Sequence, residues 1–296
     1  LTEIKLEKKN DGWAGHFTAM AGPCDILINS EDKLLAHQLV SLAKKETQRI
    51  ESKFSRYRTD NIIYKINNAN AEPVEVDSET ADLLNLSSTC HVISNGRFDI
   101  TSGVLRKAWK FDCSENVPSR KQVKLLLKYI GWEKVTWSPP LITLPKGMEI
   151  DLGGIAKEYA VDRVSEMLLE KSNIGMLVNF GGDLRVVSKR KDGSPWRVGV
   201  EDPGTEKRAI RMLDIRSGGL ATSGDSRRYL LKNGIRYTHI LNPMTGWTVQ
   251  NAPRSITVCA GTCVEAGILS TLAMLHGRKA EQFLDDQGVI NWCTRD

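Results

Sequence analysis

The 296-residue chain carries 41 Lys and Arg against 36 Asp and Glu, a net charge of +5, with 41% hydrophobic and 26% charged residues. That length can bury a full core, as one large domain or two small ones, and that apolar content excludes an intrinsically disordered chain. No stretch offers the roughly 20 uninterrupted apolar residues of a membrane helix; the basic balance leaves a solvated surface or attraction for an anionic ligand, and no motif supports nucleic-acid binding.

Trp13 to Ser30 alternates and predicts a strand pair that turns at Gly22-Pro23. Leu34, Leu35, Leu39, Leu42, Ile50 and Phe54 recur at helical spacing, so a long amphipathic helix is expected, opened by Asp32. A second helix should run from an N-cap at Ser78 to Ser94, and a third from Ser119 to Ile130. Leu141 to Leu152 reads as strands around the Pro145-Lys146-Gly147 turn. A helix from Gly154 to Lys171 and a strand at Ile174 to Asn179 follow. Trp196 to Val258 reads as short strands broken by Gly and Pro turns. The apolar stretch Ile256 to Leu275 reads as a buried strand followed by a buried helix from Cys263. A short helix at Ala280 to Asp286 and a strand at Val289 to Trp292 close the chain. Strands mixed with helices, without regular alternation, predict an α+β fold of mixed sheets packed with helices, in one compact domain over residues 1–296.

Six cysteines (Cys24, Cys90, Cys113, Cys259, Cys263, Cys293) form no CxxC pair, and no His stands beside Cys259 and Cys263. That argues for buried thiols over a zinc site and leaves disulfides open.

Five segments exceed what strands and helices need. Gly96-Arg97-Phe98-Asp99-Ile100-Thr101-Ser102-Gly103 sets a carboxylate and hydroxyls in a Gly-bounded loop. In Asp151-Leu152-Gly153-Gly154-Ile155-Ala156-Lys157 a strand ends on Asp151 and a helix begins, so free N–H groups and Lys157 suit a phosphate, although tight packing explains the glycines equally well. Asn179-Phe180-Gly181-Gly182-Asp183 reads as a hairpin with positive φ. Ala221 to Arg228 sets hydroxyls, Arg227 and Arg228 beside Gly224, either a solvated turn or a cradle for phosphate oxygens. His239 ends a short strand ahead of Asn242-Pro243, a place for a structural ring or a general base.

Taken in order, these segments resemble the ApbE family of FAD:protein FMN transferases. Phe54-Ser55-Arg56-Tyr57 through Asn67 is similar to its F-S-x-Y…N helix end, and Gly96 to Thr101 to its G-x-F-D-[IV]-T. Asp151 to Lys157 is similar to its D-L-G-G-I-A-K, followed by Tyr159-Ala160-Val161-Asp162. Ala19-Met20-Ala21-Gly22, Thr222-Ser223-Gly224-Asp225 and His239 to Gly246 complete the likeness. The resemblance implies binding of FAD with Mg²⁺ at its diphosphate, and transfer of FMN to a Thr or Ser hydroxyl in the flavinylation motif of an acceptor protein. It implies that Met20, Tyr57, Arg97, Phe98, Asp99, Asp151 and Lys157 bind FAD, that Gly154 offers a carbonyl to the metal, and that His239 is catalytic or packs on the flavin.

Two departures stand out. The family's late helix carries A-D-A-L-x-T, whose Asp and Thr bind the metal; here Thr271 is kept, but the Asp position is Gly267. A hard cation wants anionic oxygen, so weaker Mg²⁺ binding is expected, and Glu265 sits on the wrong side of the helix to replace it. Glu158 stands where the family usually has Gly, either crowding the ligand or supplying the missing carboxylate. Beside the transferase, an FAD-holding module without transfer and an FAD pyrophosphatase remain as readings. Family members are commonly exported lipoproteins. With Leu1 in place of a leader, the expectation is a periplasmic protein, anchored before processing or trimmed, with the cytoplasm left open.

Overall fold

The computed structural model describes residues 3–201, 209–225 and 229–295. The first helix forms where the apolar spacing requires it. Asp32 accepts the N–H groups of Leu34 and Leu35, and α1 runs Lys33–Phe54 with Leu39, Val40, Ile50 and Phe54 on its buried side. A short α2, Ile62–Asn67, follows under a cap from Asn61 that the spacing did not announce. In α3, Ser78–Ile93, the cap is Asp77 and not Ser78, because the Asp77 carboxylate reaches the N–H of Thr80. Ser119 and Gln122 close a capping box on α4, which spans Arg120–Leu127 and ends earlier than its apolar pattern suggests. α5 (Ala156–Lys171), α6 (Cys263–Leu275) and α7 (Ala280–Gln287) lie where the sequence puts them.

Eight strands make the main sheet: Lys5–Lys9, Gly12–Ala19, Gly22–Asn29, Gly175–Phe180, Asp183–Ser188, Gly218–Gly224, Ser255–Ala260 and Ile290–Thr294. They lie side by side in chain order, each antiparallel to the next. α1 to α5 are inserted between the third and fourth. Alternation along Gly175–Phe180 explains its apolar character on both faces. Met176, Val178 and Phe180 join the core beneath the helices, while Leu177 packs with Leu184, Leu220, Trp196 and Leu213 on the other face. There a ribbon of Trp196–Glu201 and Ala209–Ile215 forms a second layer. A third cluster gathers Val104, Leu105, Trp109, Val123, Ile130 and Leu230.

Three sequence expectations are corrected. The first hairpin turns at Met20 and Ala21 (φ 52° and 59°), and Gly22-Pro23 belong to the returning strand, because a type I′ turn needs positive φ at both centres and the proline ring fixes a negative one. Of Leu141–Leu152 only Leu141–Thr143 is a strand, paired with Thr136–Ser138 around Pro139-Pro140. No strand ends on Asp151. The Asn67 side chain takes both backbone groups of Ile150, at 2.7 and 3.0 Å, where a neighbouring strand would otherwise bond. Finally, Ala221–Gly224 is sheet interior and not a turn.

Glu79 ties three helices together. Its carboxylate accepts from Arg49 (2.6 and 2.8 Å) and Lys53 (2.6 Å) of α1 and from the Tyr159 hydroxyl (2.8 Å) of α5. Arg49 above all holds the carboxyl down at about 2, against an ordinary 4.5. A depressed carboxyl stabilises the fold above its unfolded pKa, and that contribution is lost as pH falls through the folded value. Glu79→Gln is therefore expected to lower stability at pH 7 by about 1–2 kcal/mol. In urea titrations across pH, the gap to wild type should narrow below about pH 4.5 and close toward pH 2.

All six cysteines are unpaired. Among the described residues no helix is long and apolar enough to cross a membrane.

Candidate active site

The site is built around the turn that enters α5. Asp151 is fixed from three sides. Its N–H donates to the Ile100 carbonyl (2.9 Å), its carboxylate accepts the N–H of Gly153 (2.9 Å) and pairs with Arg56, and the Asn67 clamp on Ile150 sets its approach. Gly103 is required here, since a Cβ would lie 2.6 Å from the Asp151 Cβ. Burial works against the charge on Arg56, but Asp151 and the Tyr57 hydroxyl together outweigh it and raise the pKa. Arg56 also donates to the Tyr57 hydroxyl at 2.8 Å and stacks over its ring, 78% of which faces solvent.

Phe98 is buried, and a Cβ on the exposed Gly154 would lie in ordinary contact with its ring, at 3.7–3.8 Å. Arg97 is half-buried beside it. Asp99 turns the other way. One of its oxygens accepts the N–H and hydroxyl of Thr101 (2.8 and 2.6 Å), and the other accepts the N–H of Trp132 (3.0 Å). Its carboxylate thus holds the Phe98 wall from behind. Met20 donates its N–H to Glu51 at 2.9 Å from the strained hairpin turn.

α5 opens without a side-chain cap: the Ile155 and Ala156 N–H groups turn back onto the Leu152 carbonyl (2.9 and 2.8 Å), and the N–H groups that follow in the first turn are the ones an anion would take. Lys157 pairs with Asp183, which is buried and also accepts the Thr222 N–H (3.0 Å). Burial opposes the charge on Lys157, and Asp183 with Glu158 more than offsets it. Asp183, read from sequence only as part of a glycine turn (Gly181 φ 61°, Gly182 φ 101°), is thus a site residue.

α6 brings the last group. Asp162 of α5 caps its start, accepting from the N–H groups of Cys263 (2.9 Å) and Val264 (2.8 Å). Glu265 is occupied with the N–H of Gly261 at 3.0 Å and takes no part. Thr271 lies 3.2 Å from the Ser223 hydroxyl, which is 2.9 Å from Ser270. Gly267 brings no side-chain ligand. The space a Cβ would enter there is filled by Glu158, whose Cγ lies 2.6 Å away. Glu158 Oε2 is enclosed and has no hydrogen-bond partner. Its burial, then Asp183, push its carboxyl well above the ordinary range, with Lys157 pulling the other way.

These donors are hard oxygens: a carboxylate oxygen without a partner, two hydroxyls at 3.2 Å and the exposed Gly154 backbone. They fit Mg²⁺. His91, Asp99 and Glu133 form a second oxygen-rich group, with ligand atoms within 4.8 Å, but both Asp99 oxygens already accept hydrogen bonds. His239 stands edge-on to Phe111 (6.3 Å between centroids), itself stacked on Trp109, whose indole N–H holds the Gly246 carbonyl at 2.9 Å. Asp225 is not a free acid: it pairs with Arg236 and Arg254. Ser226, Arg227 and Arg228, the other half of that segment, lie outside the described residues.

A family model described as the ApbE family matches residues 20–292. Among proteins of assigned activity, the chain is 28% identical to an FAD:protein FMN transferase of Vibrio cholerae over 239 residues, covering 78% of this chain and 71% of that protein. It is 30% identical to one of Haemophilus influenzae over 234 residues, covering 75% and 68%. Among solved structures, it superposes on the ApbE protein of Thermotoga maritima with a TM-score of 0.84 at 30% identity, covering 99% and 94%. The apo flavinyl transferase ApbE of Pseudomonas stutzeri gives 0.84 at 25% identity, covering 100% and 93%.

Proposed function

This chain belongs to the ApbE family, and on that footing we propose that it is an FAD:protein FMN transferase, acting on a Thr or Ser hydroxyl of an acceptor flavoprotein. The observation that carries the reading is the uncapped start of α5, where Lys157 stands beside Glu158, a buried acid with one carboxylate oxygen unpartnered. An apolar wall at Phe98, an anion seat at Lys157 and a cation seat between Glu158 and α6 gather around the start of α5, as a flavin diphosphate requires.

In this reading Phe98 and the exposed backbone of Gly154 beside it receive the flavin end. The first-turn N–H groups of α5 and Lys157 receive the diphosphate, and Asp183 keeps Lys157 aimed at it. Thr271, Ser223 and the Gly154 carbonyl would hold the metal together with an anionic oxygen. When bound, the metal neutralises diphosphate charge and polarises the phosphorus under attack. His239 takes the acceptor hydroxyl's proton at a ring nitrogen. The acceptor oxygen bonds to the FMN phosphorus as the bridging P–O bond breaks, and AMP leaves. The reading extends to a periplasmic address, tested by cell fractionation.

The test is in-gel flavin fluorescence with the purified chain, FAD, Mg²⁺ and an acceptor carrying the Thr target motif. The expected result is a fluorescent acceptor band that survives denaturation and disappears with EDTA. No band beside tight FAD binding would replace the transferase with a flavin-holding module. Release of AMP and FMN without acceptor would make it a pyrophosphatase.

A further inference from the structure

We infer that the carboxylate facing the cation has changed helices in this chain: Glu158 of α5 provides it, and Gly267 of α6 is the space cleared for it. The inference rests on the metal-assisted transferase reading and adds the identity of the anionic ligand. Side chains at the two positions exclude each other. A Cβ on Gly267 would lie 2.6 Å from Glu158 Cγ, 3.1 Å from Cδ and 3.2 Å from Oε1, so the Glu158 side chain lies where a residue 267 side chain would start.

Glu158 also lacks the marks of a structural acid. Buried carboxylates in folded proteins are hydrogen-bonded, and an enclosed oxygen without a partner is costly. Asp183 on Lys157, Asp162 on α6 and Asp99 on Thr101 and Trp132 all obey that rule. Glu158 Oε2 does not. The neighbouring amine of Lys157 is engaged by Asp183. Thr271 follows Gly267 by one helical turn and so shares its face, with its hydroxyl 3.2 Å from Ser223. A hard divalent cation would give the orphaned oxygen its partner and draw on these hydroxyls.

The geometry predicts a reciprocal rescue. Mn²⁺ is the probe, followed by electron paramagnetic resonance titration and by the thermal shift it causes, both with FAD present and no acceptor. Glu158→Gln, which keeps the volume, should weaken Mn²⁺ binding at least about tenfold. Gly267→Asp alone should also lose binding and stability, because its side chain meets Glu158. The pair Glu158→Ala with Gly267→Asp should regain binding to within a few-fold of wild type. Wild-type affinity in Glu158→Gln would overturn the inference while leaving the metal-assisted reading intact. So would a double variant no better than Gly267→Asp when circular dichroism shows it folded. Should the double variant not fold, Glu158→Gln decides alone. If the wild-type chain binds no Mn²⁺, both the inference and the metal-assisted reading fall.

Discussion

Replacing Asp99 with alanine should lower the stability of the chain by about 3–5 kcal/mol, the sum expected when two buried backbone N–H groups lose their acceptor. Those groups are Thr101 N–H at 2.8 Å and Trp132 N–H at 3.0 Å, with the Thr101 hydroxyl at 2.6 Å. All three lie in a buried corner where water cannot take over, and Thr101 in turn supports the N–H of Gly131 at 2.8 Å. Asp99→Asn should be milder but still destabilising, because an amide presents N–H to a site that needs two acceptors. Urea midpoints measure both variants. The order of effects separates two roles for Asp99. A positioning residue loses stability first, with FAD affinity intact in whatever remains folded. A flavin ligand would lose affinity in Asp99→Asn at an unchanged midpoint, and that outcome would return the carboxylate to the binding site.

Gly219→Ala should cost about 2–4 kcal/mol and take most of the transfer activity with it. Gly219 lies in the sheet under the start of α6. A Cβ there would lie 2.4 Å from the Cys263 nitrogen, 2.5 Å from the Thr262 carbonyl carbon and 2.7 Å from the Cys263 Cα. These are backbone atoms, so no rotamer change relieves the overlap, and the helix must move off the sheet. Asp162 would then lose its grip on the Cys263 and Val264 N–H groups. Gly267 and Thr271 would move with the helix. Gly22→Ala is the control: nothing lies within 4 Å of the added atom, and a midpoint within about 0.5 kcal/mol of wild type is expected. A Gly219→Ala variant as stable as that control would mean that the helix start adapts at little cost.

The two glycines show where sequence reading stops. Both lie in antiparallel strands of the same sheet, and their chain neighbours say nothing of what packs over them. The difference is a helix that arrives from residues 262–263 in one case and open space in the other. Arg56 is similar. It fills an unspecified position between Ser55 and Tyr57, and only the fold shows it paired with Asp151.

What the sequence determined by itself was local. Asp32 and Ser119 open the helices that follow because a cap acts within three residues, and the 3.6-residue apolar spacing of α1 needs no partner to be read. The ordered motifs likewise identified the family, since each is a short contiguous run. Tertiary structure decided the destinations of side chains. It turned Asp99 inward, replaced a strand at Ile150 with the Asn67 amide, and laid Glu158 across Gly267. The reason is physical. A buried polar group goes where its partners are, and those partners come from elements distant in the chain, so only the packed molecule shows which carboxylates are satisfied and which one keeps an oxygen without a partner.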